Sequence, residues 1–391
     1  MRNHELLVFE DGHHQVSPIV SYGDTTYAAV TLGEELQKAL RMPRGEEDFG
    51  TVGKLISAVA DLLVSYEVGR TTAWVLANYV LTTWVADCLS GVPVLNLWGP
   101  LGSESTLLAL LCCLCRRPLR MPAPSLRELA NLPVDLCPTL VLRNPTQRAL
   151  AELIAAAGQA GAGTFHAGQY RIVNCALIVC SDVPISCTAL NVSLLTAMTS
   201  YHRISSNEAE TISARFQPRL LGYRLRRHLQ VTRSQFDCRE FAPATRLLAR
   251  NLGSALEGDL ESQDRLIDAL RSTDEQNKVE LSQSQPAAVL EALITLSHEQ
   301  QPWAKTGDVA GLANAILLAR GERADLSAKA VGTILRKKFG FEPVRSGPGY
   351  HLKLTKVVQE QVHRLASAHG VLSLVDPTFD CELCRLHSQS K

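Results

Sequence analysis

The residues with the clearest chemical spacing in this chain are Gly99-Pro100-Leu101-Gly102-Ser103-Glu104-Ser105-Thr106, a turn between the apolar runs VPVLNLW and LLALLCCLC. A glycine-rich turn leading from a strand into a helix aims backbone N–H groups at phosphate. The working spacing is Gly, four residues, Gly-Lys, then Ser or Thr. Gly99 and Thr106 occupy the first and last of these places. Glu104 stands where the second glycine belongs, and Ser105 where the lysine belongs.

Those exchanges act directly on the chemistry. The lysine carries the charge that holds the β- and γ-phosphates, and a serine does not. Glu104 brings a negative charge towards a triphosphate, and its Cβ crowds a turn suited to glycine. A second apolar strand, PTLVL (138–142), ends in Arg143-Asn144. A working site carries an acid there, which holds Mg²⁺ through water and activates the attacking water. Asp135 precedes that strand, at its wrong end. The two losses, expected to be independent, predict weak triphosphate binding and no hydrolysis.

Taken together, the loop GPLGSEST, the strand PTLVLRN and the strand ALIVCSD resemble P-loop NTPases of the AAA+ or helicase type. The resemblance is strongest to ATPase-like regions of primase and helicase proteins of mobile elements, and it spans roughly residues 90–250. It implies an α/β fold with a P-loop NTPase-like, largely parallel sheet and flanking helices. It also implies a degenerate nucleotide site at Gly99, Gly102, Ser103, Ser105, Thr106, Asn144 and Asp182. Ser181-Asp182 falls where such proteins place a polar sensor of the γ-phosphate. No catalytic residue is expected, and no cofactor beyond weakly held ATP–Mg²⁺. The segment ARFQPRLLGYRLRR would supply arginines that reach phosphate from a neighbour or a lid. The alternative is a doubly wound domain that never bound nucleotide, with GPLGS as an ordinary strand–helix turn.

Two segments are basic. Residues 211–236 hold Arg215, Arg219, Arg224, Arg226, Arg227 and Arg233 and no acid. Arginine pairs with phosphate through a planar fork, but a solvated helix face answering the acid-rich 257–291 explains these residues equally well. Nearer the C-terminus, two helical patterns, a reversal at Gly347-Pro348-Gly349 and a closing helix resemble a winged helix. Between Ser327 and Lys356, seven bases stand against one acid, Glu342. On the helix expected over Ser327–Phe339, Ala330, Ile334 and Leu335 face the core, leaving Lys329, Thr333, Arg336 and Lys337 outward. Such a helix enters a major groove while the hairpin touches the backbone. That puts Lys329, Arg336, Lys337, Lys338, Arg345 and Lys353 on DNA. A winged helix used for protein contact is the alternative.

Cys381-Glu-Leu-Cys384 with His387 offers at most three ligands, whereas a structural zinc site takes four. A disordered tail without metal is the expectation. No Ser-His-Asp or paired-carboxylate spacing supports another hydrolase chemistry.

These residues need elements to position them. VPVLNLW, PTLVL and RIVNCALIVC (171–180) read as strands, with STLLALLCCLC and RALAELIAAA as helices between them. Strands alternating with helices argue for a largely parallel sheet covered on both faces. Gly161, Gly163 and Gly168 read as a flexible connection before the third strand. Upstream, LLVFE and TYAAVTLG are strand-like, and helices are expected over Glu34–Leu40, Val52–Tyr66 and Thr71–Leu89. Downstream, 241–298 is helical with a joint at SQSQPAA, followed by helices over Asp308–Ala319, Ser327–Phe339 and Lys356–His369. The expected division is 1–89, a strand and helix region; 90–240, the degenerate P-loop-like core; 241–302, a helical lid-like region; 303–372, the winged-helix-like domain; and 373–391, a tail.

Composition bounds the partners. The 391 residues suggest two or three domains. With 46% hydrophobic and 20% charged residues the chain is not disordered. Lys+Arg and Asp+Glu both number 39, so any nucleic-acid signal must be local. Eleven cysteines, many in apolar runs, and a polar N-terminus without a signal peptide predict reduced thiols in the cytoplasm. Thr71–Ala86 falls short of the roughly 20 residues of a membrane span and contains Asn78, Thr82 and Thr83. It reads as a buried helix. The functional expectation is a catalytically inactive P-loop-like protein binding DNA through a C-terminal winged helix, as a replication or mobile-element accessory with a partner from that machinery or as an oligomer. The alternatives are an atypical ATPase or helicase subunit that borrows catalytic groups, and a protein-interaction scaffold.

Overall fold

The computed structural model describes residues 6–371 and 381–388, apart from 11–12, 23–24, 29–33, 90, 92–93, 101, 123–136, 147–149, 151–153, 155–162, 167–168, 173–174, 186–188, 199–201 and 348. It divides into two units, Met1–Cys238 with Arg246–Leu270, and Arg239–Thr245 with Arg271–Lys391.

In the first unit, β1 (Leu6–Glu10) pairs antiparallel with β2 (His13–Ser17), and β3 (Ile19–Tyr22) with β4 (Thr25–Ala28). The later strands are β5 (Val94–Trp98), β6 (Pro118–Pro122), β7 (Thr139–Arg143), β8 (Gly163–His166), β9 (Gln169–Ile172), β10 (Ala176–Ser181) and β11 (Ala189–Ser193). Five of them form one sheet in the order β11-β5-β10-β7-β6, and every pairing in it is parallel. This mixed α/β layout, a five-stranded parallel sheet flanked by helices, is consistent with a Rossmann- or P-loop-like fold. Parallel strands are covered on both faces, so they read as unbroken apolar runs rather than alternating ones. β5, β7 and β10 are buried along their first four or five residues.

The expected strand over 171–180 is two strands. Gln169–Ile172 pairs antiparallel with Gly163–His166 in a hairpin of its own, and only the apolar ALIVCS enters the parallel sheet. The polar Gln169 and Arg171 suit a two-stranded ribbon, whereas a central strand must be apolar on both faces. Gly163 therefore opens a strand, while Gly161 and Gly168 lie outside the described residues, as does most of RALAELIAAA. Leu150 and Ile154 from that run pack against the sheet core of Leu140, Leu142, Leu177 and Val179.

The helix Arg70–Trp84 is buried from Ala73 to Trp84, as expected of a segment apolar all round. Its Tyr79 hydroxyl donates to the Leu177 carbonyl of β10 at 2.8 Å, and Trp84 Nε1 donates to the Leu114 carbonyl at 2.9 Å. The helix stops at Trp84, short of the expected Leu89, and Ala86–Cys88 forms a tighter turn. Among the described residues no helix is long and apolar enough to cross a membrane.

In the second unit, the helix Gln285–His298 begins where a joint was expected, because Ser284 accepts from the Ala287 N–H and Pro286 suits a first turn. Then come β12 (Trp303–Lys305), the helices Thr306–Ala319 and Ala328–Lys337, β13 (Val344–Ser346), β14 (Gly349–Lys353), and the helices Lys356–Ala368 and Glu382–Ser388. The three strands are antiparallel in the order β12-β14-β13. Their core holds Leu293, Val309, Leu317, Leu335, Leu352 and Val362. The segment expected as a disordered tail is helical over Glu382–Ser388.

Candidate functional site

Strand register sets the first site. Trp98 lies opposite Ser181, and Arg143 opposite Cys180. The turn after β5, Asn144 after β7 and Asp182 after β10 therefore leave the sheet side by side at its carboxyl edge, where open α/β sheets bind ligands. Backbone bonds tie these exits together. Gly99 N–H donates to the Ser181 carbonyl at 3.0 Å, and Asn144 N–H to the Cys180 carbonyl at 2.9 Å. Just inside the edge, the Asn96 amide of β5 donates to Asn191 Oδ1 at 2.9 Å and accepts from Ser181 Oγ at 2.8 Å.

The turn is filled by its own side chains. Gly102 has φ +96°, a conformation that favours glycine. Its N–H donates to Glu104 Oε2 at 2.6 Å. The other oxygen of that carboxylate lies 2.6 Å from the Arg143 guanidinium. Glu104 is 5% exposed. Ser103 Oγ donates to the Pro100 carbonyl at 2.5 Å. Thr106 Oγ1 donates to the His202 carbonyl at 2.5 Å and accepts from the His202 N–H at 3.0 Å. Ser105, Asn144 and Asp182 are exposed, and Leu101 lies outside the described residues.

The two exchanges expected to be independent thus meet in one ion pair. A carboxylate from the turn accepts from the Gly102 N–H, and an arginine at the end of β7 neutralises it. Thr106, rightly spaced for Mg²⁺, has its hydroxyl committed to the His202 backbone. Sequence reasoning named Arg143 only as a missing acid and did not reach His202. Opposite charges at the two altered positions were the signal available for the first; nothing local signalled the second.

The arginines of the helix Ser206–Thr232 brace the same unit. Arg224 grips Asp87 with two bonds of 2.6 and 2.7 Å and also donates to the Trp84 carbonyl at 2.7 Å. Arg116 reaches Asp87 at 3.2 Å. Burial alone would raise the Asp87 pKa, but Arg224 and Arg116 outweigh it and hold the carboxyl well below the usual carboxylate range. Arg226 pairs with Glu46 at 2.6 Å and Asp48 at 2.5 Å. The acids that answer these two arginines lie upstream, not in 257–291.

The second candidate is a basic face. Ser327 caps the helix Ala328–Lys337 by accepting from the Ala330 N–H. The helix buries Val331, Gly332 and Leu335, with Ala330 and Ile334 half-buried against the same core. Lys329, Arg336, Lys337, Lys338, Arg345 and Lys353 are all exposed. Among the described residues no ion pair neutralises any of the six. The Arg336 guanidinium lies 5.7 Å from the Tyr350 ring centre, which joins the helix to β14. Lys353 Nζ lies 5.5 Å from the Trp303 ring centre. Tyr350 and Trp303 are 44% and 46% exposed. Cations over open aromatic faces are a familiar means of holding nucleic acid.

A third cluster joins His298, His363, Cys381 and Cys384, whose donor atoms all lie within 4.8 Å of one another. His387 belongs to the last helix, but its side chain lies outside the described residues.

No family model matches this chain, and no curated protein matches it. Among solved structures, one described as "Structure of Drosophila ORC bound to DNA" shares 11% identity, covering 83% of this chain and 94% of that one, with a TM-score of 0.21. A superposition that poor says nothing of fold or function.

Proposed function

We propose that this chain is a P-loop-like protein without nucleotide chemistry, whose second unit is a winged helix that binds duplex DNA. The observation that carries this reading is the set of six exposed cations on the helix Ala328–Lys337, its C-cap Lys338 and the β13–β14 hairpin, with no ion pair among the described residues. A helix with that face outward fits a major groove, and hairpin cations fit flanking phosphates. The Glu104–Arg143 pair supports the inactive half, because it occupies the turn's N–H and supplies no Mg²⁺ ligand. The resemblance of GPLGSEST, PTLVLRN and ALIVCSD to primase and helicase ATPase regions supports an accessory role in replication or in a mobile element.

The test is duplex binding by the full chain over a range of salt concentrations. Steeply salt-dependent binding that Arg336→Ala with Lys337→Ala weakens on every duplex supports the reading. Absence of binding at low salt, or affinity unchanged in the double variant, would move the module to protein contact. Exposed Val344, Tyr350 and Trp303 would then be the anchors.

A further inference from the structure

The Cys381-x-x-Cys384 pair lacked ligands when read along the chain; folding supplies them from two distant helices. His298 is the last residue of the helix Gln285–His298, and His363 is buried within the helix Lys356–Ala368. Cys381 and Cys384 lie at the start of the helix Glu382–Ser388. We propose that His298, His363, Cys381 and Cys384 form a closed, four-ligand structural zinc site that fastens the C-terminal helix to the rest of its unit.

Three of the donor–donor distances come close to those around one tetrahedral ion, and all of them lie within 4.8 Å. The two Nε2 atoms are 3.3 Å apart, Cys381 Sγ is 3.4 Å from His363 Nε2, and Cys384 Sγ is 3.3 Å from His298 Nε2. Tetrahedral zinc, with Zn–N of about 2.0–2.1 Å and Zn–S of about 2.3 Å, sets nitrogens about 3.3 Å apart and nitrogen and sulfur about 3.6 Å apart. His363 Nδ1 lies 2.7 Å from the Gln359 carbonyl. Donating its proton there leaves the Nε2 lone pair facing the cluster, the orientation a zinc-bound histidine needs.

The chemistry selects the ion and its role. Two thiolates and two neutral imidazoles balance a divalent charge, and this donor set at tetrahedral spacing suits zinc rather than the oxygen-seeking Mg²⁺ or Ca²⁺. Four protein ligands leave no open position, so the site is structural and not catalytic. A helix of seven residues has little stability of its own. Coordination would supply what its length does not, and binding energy would become folding energy for this unit. None of this depends on whether the unit binds DNA.

The full chain, purified with and without chelation, is assayed for metal content and titrated with Zn²⁺ and Co²⁺. Expected is about one ion per chain, with Co²⁺ giving strong visible absorption and a thiolate charge-transfer band that Zn²⁺ abolishes. Cys381→Ser with Cys384→Ser should lose both bands, His298→Gln should release the metal, and His387→Ala should keep it. Metal-free protein that takes up no Co²⁺, or a double serine variant that keeps its metal, overturns the site. So does metal lost in His387→Ala but kept in His298→Gln. Alkylation of the unmutated chain gives a reading that no folding defect can blur. Zn²⁺ should shield Cys381 and Cys384, and unchanged labelling in its presence would overturn the proposal.

Discussion

The Glu104 carboxylate lies 2.6 Å from the Arg143 guanidinium, with the acid on the turn after β5 and the base at the end of β7. A working nucleotide site has these signs the other way round, lysine on the turn and acid on the strand. Each change by itself would leave a charge unanswered near the sheet edge. Together they neutralise one another, and Glu104 gains the Gly102 N–H as well. The result is a turn whose buried carboxylate is answered on both of its oxygens.

That coupling is measurable. Arg143→Ala should destabilise the first unit by about 1–3 kcal/mol, because it strands a buried carboxylate. The low end is favoured, since the Arg143 side chain is 56% exposed and water replaces part of what it gave. Glu104→Gln should cost less, and Glu104→Gln with Arg143→Ala less than the sum of the two. Urea unfolding followed by tryptophan fluorescence gives the cycle; strict additivity would mean the pair contributes nothing.

Nucleotide behaviour should follow the same geometry. The unaltered chain is expected to show no ATP hydrolysis above background. Glu104→Gly with Ser105→Lys frees the turn's N–H and restores its positive charge, so ATP should now bind, still without turnover. Because Thr106 is tied to His202, that binding should hardly differ between Mg²⁺ and EDTA. Calorimetric titration checks this, and tight Mg²⁺-dependent binding by the unaltered chain would contradict the reading of the loop.

On duplex DNA, each lost phosphate contact should flatten the slope of log affinity against log salt by about 0.9. Arg336→Ala with Lys337→Ala should therefore lower it by about 1.8, and Lys353→Ala by about 0.9. Folding stability should stay within about 0.5 kcal/mol, since these side chains are on the exposed face. A matching fall in melting temperature would instead mark them as packing residues.

Asp87 predicts an acid sensitivity of the first unit. Its folded pKa is depressed, chiefly by the Arg224 hydrogen bonds working against burial. A depressed carboxylate contributes stability above its unfolded pKa of about 3.9, and that contribution fades as pH falls towards the folded value. Asp87→Asn should thus cost about 2–4 kcal/mol near neutrality, with the gap from the unaltered chain closing below about pH 4. Denaturation curves at pH 7 and pH 3 test it; a gap that stays constant would assign the loss to shape rather than charge.

The sequence by itself determined the elements whose signal is local. VPVLNLW, PTLVL and RIVNCALIVC read as strands because a parallel sheet demands apolar residues on both faces, and of the last only Ala176–Ser181 enters that sheet. The outward placement of Lys329, Arg336 and Lys337 followed from helical periodicity alone, since 3.6 residues per turn separates a face without any knowledge of neighbours. Tertiary structure decided what depends on chain path. Whether Arg143 could meet Glu104 rests on β7 ending level with β5 across β10, a register that no local pattern encodes. The division of the expected strand into Gln169–Ile172 and Ala176–Ser181 came from a hairpin partner, Gly163–His166, without apolar signature of its own. His298 and Cys384, 86 positions apart, became neighbours because their helices both pack against the helix Lys356–Ala368. Side-chain type is local information, but coordination and ion pairing need convergence in space, and only the packed chain provides it.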